Sequence, residues 1–406
     1  MEKSVLIISY TFPPYPGIGG RRWAKFAKYL AEAGYIVHVI CAENPHGNKS
    51  FYTNDVQHEH IKLYTFHSLF PPILQNIQPK TIFEKIKYKL WMKVLPLFIK
   101  GYVYDKAIFD EKKIVPLAKK VIEKNNIKNI IATGAPFRVN YYALKLKSEF
   151  KDVNLIQDLR DPWTWGIQYS KLTCKRMKFE EEMLSQVIKQ SDIITVPVEP
   201  MRNYLSENNP SYSFRIQLLP HAFDEEEVVV KQEYSKEGFK CVFFGTMYSD
   251  IENYYDVLCR VISKNNGKIT LDVYTDTVKY KNIVRDNGAD KWVNYKKTIG
   301  GKALFETLSQ YDYIIFIYPD YVKDYLSTKF YEVIHSKIPI IYIAEKGFTS
   351  NYVSLNKLGL HFDQHTLSEG LQKLIEDPNQ LNYNKNFTVN EFSYKEMTEK
   401  LTSFFI

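Results

Sequence analysis

At 406 residues the chain is too long for one ordinary hydrophobic core and suits two domains of roughly 200 residues each. A hydrophobic fraction of 45% and a charged fraction of 25% are those of a soluble globular protein, and the net charge of +8 is moderate. No uninterrupted run of 18 apolar residues occurs, and the first residues enter a strand with no apolar leader before it, so neither a membrane-spanning nor a secreted protein is expected. The four cysteines, Cys41, Cys174, Cys241 and Cys259, lack CxxC or metal spacing, which points to reduced thiols and a cytoplasmic setting.

The first element is a short apolar strand, Val5–Ser9, followed by a Pro/Gly-rich loop that closes on Gly17, Gly19, Gly20, Arg21 and Arg22 before a helix. Glycines let backbone approach a ligand without a Cβ, and a helix N-terminus offers unpaired N–H groups and partial positive charge. Such a loop can seat a phosphate or a sugar hydroxyl. Its spacing is not GxGxxG, and no Gly-Lys-Ser/Thr follows as in a P-loop. The alternative is a glycine-rich turn that only reverses the chain.

Further apolar runs at 36–42, 61–66, 129–134, 154–159 and 192–198 alternate with helical patterns near 21–33, 112–125, 138–149 and 178–190. A second series follows, with strands near 239–246, 268–275, 313–319 and 338–344 and helices at 251–265, 301–310 and 326–336. Near-continuous apolar strands alternating with helices predict parallel sheets covered on both faces. Residues 221–238 lose the periodicity and carry a charge cluster, so the linker is placed there. The expected division is 1–220, the linker, 239–388, and a helix at 389–406 returning to the first domain. Two doubly wound α/β domains facing across a cleft would place ligands at the carboxyl ends of both sheets.

Between the third and fourth strands, residues 79–106 hold Lys80, Lys85, Lys87, Lys89, Lys93, Lys100 and Lys106 against only Glu84 and Asp105. At helical pitch Lys85, Lys89 and Lys93 share one face, and Phe83, Ile86, Leu90 and Val94 another, with Pro96 ending or kinking the helix. Two readings stay open: a helix on an anionic membrane surface, or a surface helix with its apolar face packed inward. No nucleic-acid motif accompanies the basic segment.

Three later motifs carry chemistry. Residues 155–164, LeuIleGlnAspLeuArgAspProTrpThr, end a strand at Asp158 and set Arg160 and Asp161 at its carboxyl end. An Arg with carboxylates there can bind acceptor hydroxyls and stabilise developing phosphate charge, or simply brace the loop. Residues 244–248, PheGlyThrMetTyr, end the second domain's first strand at Gly245 and Thr246. Residues 327–341, SerThrLysPheTyrGluValIleHisSerLysIleProIleIle, form a helix leading into a buried strand; a carboxylate at Glu332 can accept two ribose hydrogen bonds at once.

In register, these motifs resemble bacterial family 4 glycosyltransferases. The first loop is similar to "PPxxGGxxR", residues 132–138 to "STGPPxS", residues 155–164 to "DFRDPWT", Gly245–Tyr248 to "GTLY", and 327–341 to "sKlxEYlaaGkPil". The resemblance implies a GT-B fold of two Rossmann-like domains and retaining transfer from a nucleoside diphosphate sugar, a co-substrate rather than a bound cofactor. It implies Arg160 and Asp161, or Asp158, at the reaction centre, with Gly17, Gly19, Gly20 and Arg21 lining it. Gly245, Thr246 and Lys329 would meet the diphosphate, Glu332 the ribose, and Asp324 stands where the family usually has a first Glu. No metal is implied, and no Asp-x-Asp occurs. A donor phosphate oxygen would serve as base, with the oxocarbenium-like transition state held by helix termini and cations.

The chain departs from the pattern twice. Thr246 stands where many relatives carry Arg, with no Lys soon after, leaving Arg21, Arg22, Arg160 and Lys329 to meet the phosphates; and Lys337 replaces a usual Gly. The implied acceptor is a glycan or lipid-linked glycan of bacterial surface polysaccharide synthesis, on the inner face of the cell membrane. A sugar-nucleotide epimerase of the same architecture, a catalytically silent scaffold and, most remotely, a nucleic-acid-binding module are the other readings.

Overall fold

Each of two units is organised around a parallel sheet. The computed structural model describes residues 3–45, 50–75, 81–227, 239–300, 302–377 and 381–406. Most of the expected linker, 228–238, and residues 79–80 of the basic segment lie outside the described residues. One unit comprises Met1–Pro220 and Tyr394–Ile406, the other His221–Ser393. The chain therefore changes unit directly after Pro220, and again at Tyr394 rather than at 389.

The first unit's strands are β1 (Ser4–Ser9), β2 (Ile36–Ala42), β3 (Ile61–Phe66), β4 (Asn129–Gly134), β5 (Asn154–Leu159), β6 (Ile193–Val196) and β7 (Ile216–Leu218). They pair in the order β3-β2-β1-β4-β5-β6-β7, all parallel. The order reverses between β1 and β4, so the loops after these two strands flank the switch point, where ligands of doubly wound sheets bind. Val5, Leu6, Ile7 and Ile8 are buried, as a central strand covered on both faces requires. Each such side chain contributes roughly 1.5–3 kcal/mol on burial.

The Tyr394–Thr402 helix packs on this unit through Tyr394, whose ring lies edge-on to Phe26 and stacks on Tyr29. The last residues are held by Asn129 and Asn154, whose side-chain amides donate to the Ile406 and Phe404 carbonyls at 3.2 and 2.7 Å.

The second unit contains β8 (Phe239–Phe244), β9 (Ile269–Tyr274), β10 (Val293–Lys296), β11 (Tyr313–Ile317), β12 (Ile340–Ile343) and β13 (Gly359–Phe362), ordered β10-β9-β8-β11-β12-β13 and again parallel. Its switch point lies between β8 and β11. Cys41, Cys241 and Cys259 are buried and Cys174 exposed, none in a disulfide. Burial pushes the Cys41 and Cys259 thiols up to about 12, so they pack as apolar groups.

The basic segment forms a helix over Ile82–Phe98, begun by a capping box between Thr81 and Glu84. It continues past Pro96 instead of breaking there. A proline so near the helix end removes one of the last N–H donors, and the Ile99 N–H still reaches the Leu95 carbonyl at 3.1 Å. The face turned to the protein carries Tyr88, Trp91, Met92 and Leu95; Phe83, Ile86 and Leu90 point to solvent. Of the face Phe83, Ile86, Leu90 and Val94, the first three are exposed and only Val94 is half-buried, so the inward-packed reading fails at those three.

Candidate functional site

The sequence-derived residues divide between the units. In the first, Gly17 adopts a φ of 109°, which favours glycine, and leads through a short turn at Ile18–Gly20 into the Arg21–Glu32 helix. Gly20 is needed for close approach: a Cβ there would lie 3.0 Å from the Thr11 carbonyl oxygen and 3.3 Å from the Phe12 Cα. Arg21 is buried, its guanidinium over the rings of Tyr52 and Tyr394.

Arg160, just past β5, donates one guanidinium nitrogen to the Gly19 carbonyl and another to the Ala135 carbonyl at 2.8 Å, while its Nε lies 3.4 Å from Asp161 Oδ2. It ties the loop after β1 to the loop after β4, the two sides of the switch point. Asp161 keeps a side chain 53% exposed and is the open carboxylate of this motif.

Asp158 sits otherwise. It is fully buried, with Arg22 at 3.2 and 3.3 Å, and accepts from Trp23 Nε1 at 2.8 Å, Thr133 Oγ1 at 3.0 Å and Thr195 Oγ1 at 2.9 Å. Burial pushes its carboxyl upward, but the Arg22 charge and the donated hydrogen bonds outweigh this and hold it below the usual carboxylate range. Arg22 also donates to the Leu219 and Pro220 carbonyls at 2.7 and 2.8 Å. It is turned into the fold, so it is no phosphate ligand, and Asp158 has no lone pair directed to a substrate.

Sequence reasoning missed this enclosure and a second one beneath the Asp-Pro-Trp turn. Trp163 is buried, stacked on Phe137 at 4.6 Å, and donates to Glu180 Oε2 at 2.8 Å. The other Glu180 oxygen accepts from the Tyr102 N–H at 2.6 Å. The tryptophan thus fixes the turn carrying Asp161 to the Cys174–Gln190 helix.

In the second unit Gly245 directly follows β8 with a φ of 102°, its N–H on the Tyr274 carbonyl at 2.8 Å. A Cβ at Gly245 would collide with the Lys329 ammonium. Lys329 opens the Thr328–His335 helix, partly buried; its Nζ lies 3.4 Å from the Phe244 carbonyl and over the Phe244 ring. Burial drives its amine down to about 8, and the nearby Glu332 charge pulls the other way. Glu332, one turn further on, is only 5% exposed. Thr246 is exposed.

The Oδ1 of Asp324 accepts from the Phe348 N–H at 2.7 Å, at the start of the Phe348–Leu355 helix. Lys337 has a φ of 60°, in the left-handed region that a glycine would adopt without strain. The helix ends there, and Pro339 prevents it from continuing before β12.

No family model matches the chain, and no curated protein matches it with significance. Solved structures do. A glycosyltransferase from Rickettsia africae has 14% sequence identity, covers 99% of this chain and 97% of its own, and has a TM-score of 0.63. An Anabaena protein, HepE, in complex with UDP and glucose has 10% identity, coverage of 99% and 95%, and a TM-score of 0.60. A proposed UDP-N-acetylglucosamine 2-epimerase from Listeria monocytogenes has 10% identity, coverage of 99% and 95%, and a TM-score of 0.58. At such identities the likeness defines the fold: two Rossmann-like units of the GT-B class.

Proposed function

We propose that this chain is a retaining, metal-independent glycosyltransferase of the family 4 type. It moves a sugar from a nucleoside diphosphate sugar to a glycan or lipid-linked glycan in bacterial surface polysaccharide synthesis. The observation that carries the reading is Lys329. A partly buried ammonium lies against a glycine with positive φ, at the carboxyl end of β8, beside the switch point. Among the described residues its ammonium makes one long bond, to the Phe244 carbonyl, which leaves donors for an anion. A diphosphate would restore the charge stabilisation that burial removes, aided by the N-terminus of the Thr328–His335 helix. Glu332 then takes the ribose hydroxyls.

On the acceptor side Asp161 is the group we assign to the reaction centre. Arg160 spends its donors on Gly19 and Ala135, so we assign it the task of holding both loops in place. Gly17, Gly19, Gly20 and Arg21 line the same end of the sheet. The transition state would be stabilised by fixed dipoles and cations, with a donor phosphate oxygen as base. The enzyme would act in the cytoplasm, at the inner face of the cell membrane, reaching it through 79–106.

The Listeria structure supports the epimerase reading. A panel of nucleoside diphosphate sugars, incubated with and without a glycan acceptor preparation, separates the two. Transfer predicts donor turnover that rises with acceptor, survives EDTA and preserves anomeric configuration. Isomerisation of the sugar nucleotide without acceptor would establish the epimerase, and binding of no sugar nucleotide would leave a scaffold.

A further inference from the structure

We propose that the Ile82–Phe98 helix is an interfacial anchor that lies on an anionic lipid bilayer, its outward apolar stripe in the acyl boundary and its lysines at the headgroups. This rests on the reading above only for its purpose, presentation of a lipid-linked acceptor; the surface itself stands on other residues.

The helix is attached by one side. Leu95 and the following Ile99 are buried, and Tyr88, Trp91 and Met92 are partly covered. Directed away from them are Ile82, Phe83, Ile86, Leu90, Leu97 and Phe98, with Phe83 84% and Phe98 79% exposed. At 3.6 residues per turn most of these fall on one stripe. A contiguous apolar set of that size is rarely left to water.

Charge selects the occupant. Lys85, Lys89 and Lys93 run along one border of the stripe and Lys87 along the other. None of the four meets a carboxylate among the described residues. The helix's one acid, Glu84, is engaged by the Thr81 N–H at 3.0 Å in the capping box. An apolar stripe edged by unpaired lysines matches acyl chains beneath anionic headgroups. A two-fold contact between copies would set these like charges against one another.

The anchor is stiffly joined to the Asp161 turn. Arg176 donates to the Pro96 and Gly101 carbonyls at 2.5 and 2.7 Å, and Glu180, one turn on, holds both the Tyr102 N–H and Trp163. The seating of the helix on lipid therefore sets the height of that turn above the bilayer.

Flotation of the full chain with vesicles of phosphatidylcholine, alone or with phosphatidylglycerol, tests this at low and moderate salt. The wild type should float with the anionic vesicles, less so as salt shortens screening to about 8 Å. Lys85→Glu/Lys89→Glu/Lys93→Glu should lose the anionic preference, at about fivefold in partitioning per lysine removed. Phe83→Ser/Leu90→Ser should lose binding at every salt concentration. These exposed changes should leave UDP affinity, measured separately, unaltered. Absence of wild-type flotation, or undiminished flotation of the Phe83→Ser/Leu90→Ser variant, overturns the proposal. So does a wild-type dimer that this variant converts to monomer while neither protein binds lipid. Flotation without any nucleotide binding would uphold the anchor and defeat the transferase reading alone.

Discussion

Asp158, fully buried near the end of β5 in the first unit, and Lys329, partly buried beside the end of β8 in the second, have opposite surroundings. Asp158 has a cation, an indole N–H and two hydroxyls pointed at its two oxygens. Lys329 has one carbonyl at 3.4 Å and an attracting carboxylate on its own helix. Accordingly the first carboxyl is shifted toward its charged form and the second amine toward its neutral form. A buried charge whose partners are complete is architecture, whereas one left short of partners is stabilised only when a ligand arrives.

The sharpest way to break this contrast is Asp158→Asn, which leaves Arg22 buried without its counter-charge. The expected loss is about 3–5 kcal/mol of stability, read by urea denaturation. Asp158 has its pKa lowered on folding, so this stability is present above the unfolded carboxyl pKa and is lost as pH falls through the folded one. A mutant as stable as wild type would mean that the enclosure does not hold the fold.

Asp161→Asn, three residues away, should behave in the opposite manner. The exposed carboxylate contributes little to stability, and turnover should drop on the order of 10² to 10³ with donor affinity intact. Steady-state kinetics that match wild type would return Asp161 to a structural role. Glu332→Gln should weaken nucleoside diphosphate binding by roughly 1.5–3 kcal/mol, measured by titration calorimetry, with the fold unchanged. The smallest effect expected is for Asp324→Ala: about 1 kcal/mol of stability from the lost cap and no change in donor affinity. A strong loss of donor affinity there would restore Asp324 to the donor site.

Much of the fold is legible because central parallel strands are covered on both faces: β1, β11 and β12 read as unbroken apolar runs, and β2, β4, β5 and β8 as largely apolar ones interrupted by residues such as His38, Thr133, Asp158 and Lys240. The strands not anticipated, β7, β10 and β13, end their sheets, and β10 alternates Val293, Asn294, Tyr295 and Lys296 rather than forming a run. The Asp158 enclosure was hidden for another reason. Its donors come from the first helix, β4 and β6, brought together only by strand order, so no local spacing records them. Periodicity likewise separates the faces of the 82–98 helix without saying which one meets the protein; Tyr88, Trp91 and Leu95 decide that by packing. Asp324 matched a motif position by count alone, and its hydrogen bond to Phe348 depends on where a helix 24 residues later begins.

If Lys329 is held short of partners for a diphosphate, as proposed, then binding of the diphosphate takes up protons. Calorimetry of UDP and GDP near pH 8, in buffers of differing ionisation enthalpy, reads the protons taken up. An amine whose pKa is depressed to about 8 is partly deprotonated there, and an arriving diphosphate raises that pKa. The wild type should take up protons, its affinity should fall as pH rises through 8, and Lys329→Met should lose both the uptake and most of the affinity. Without ligand, that variant should be no less stable than wild type, since it removes a desolvated cation. Equal affinity and equal proton uptake in the two proteins would show that Lys329 does not meet the diphosphate.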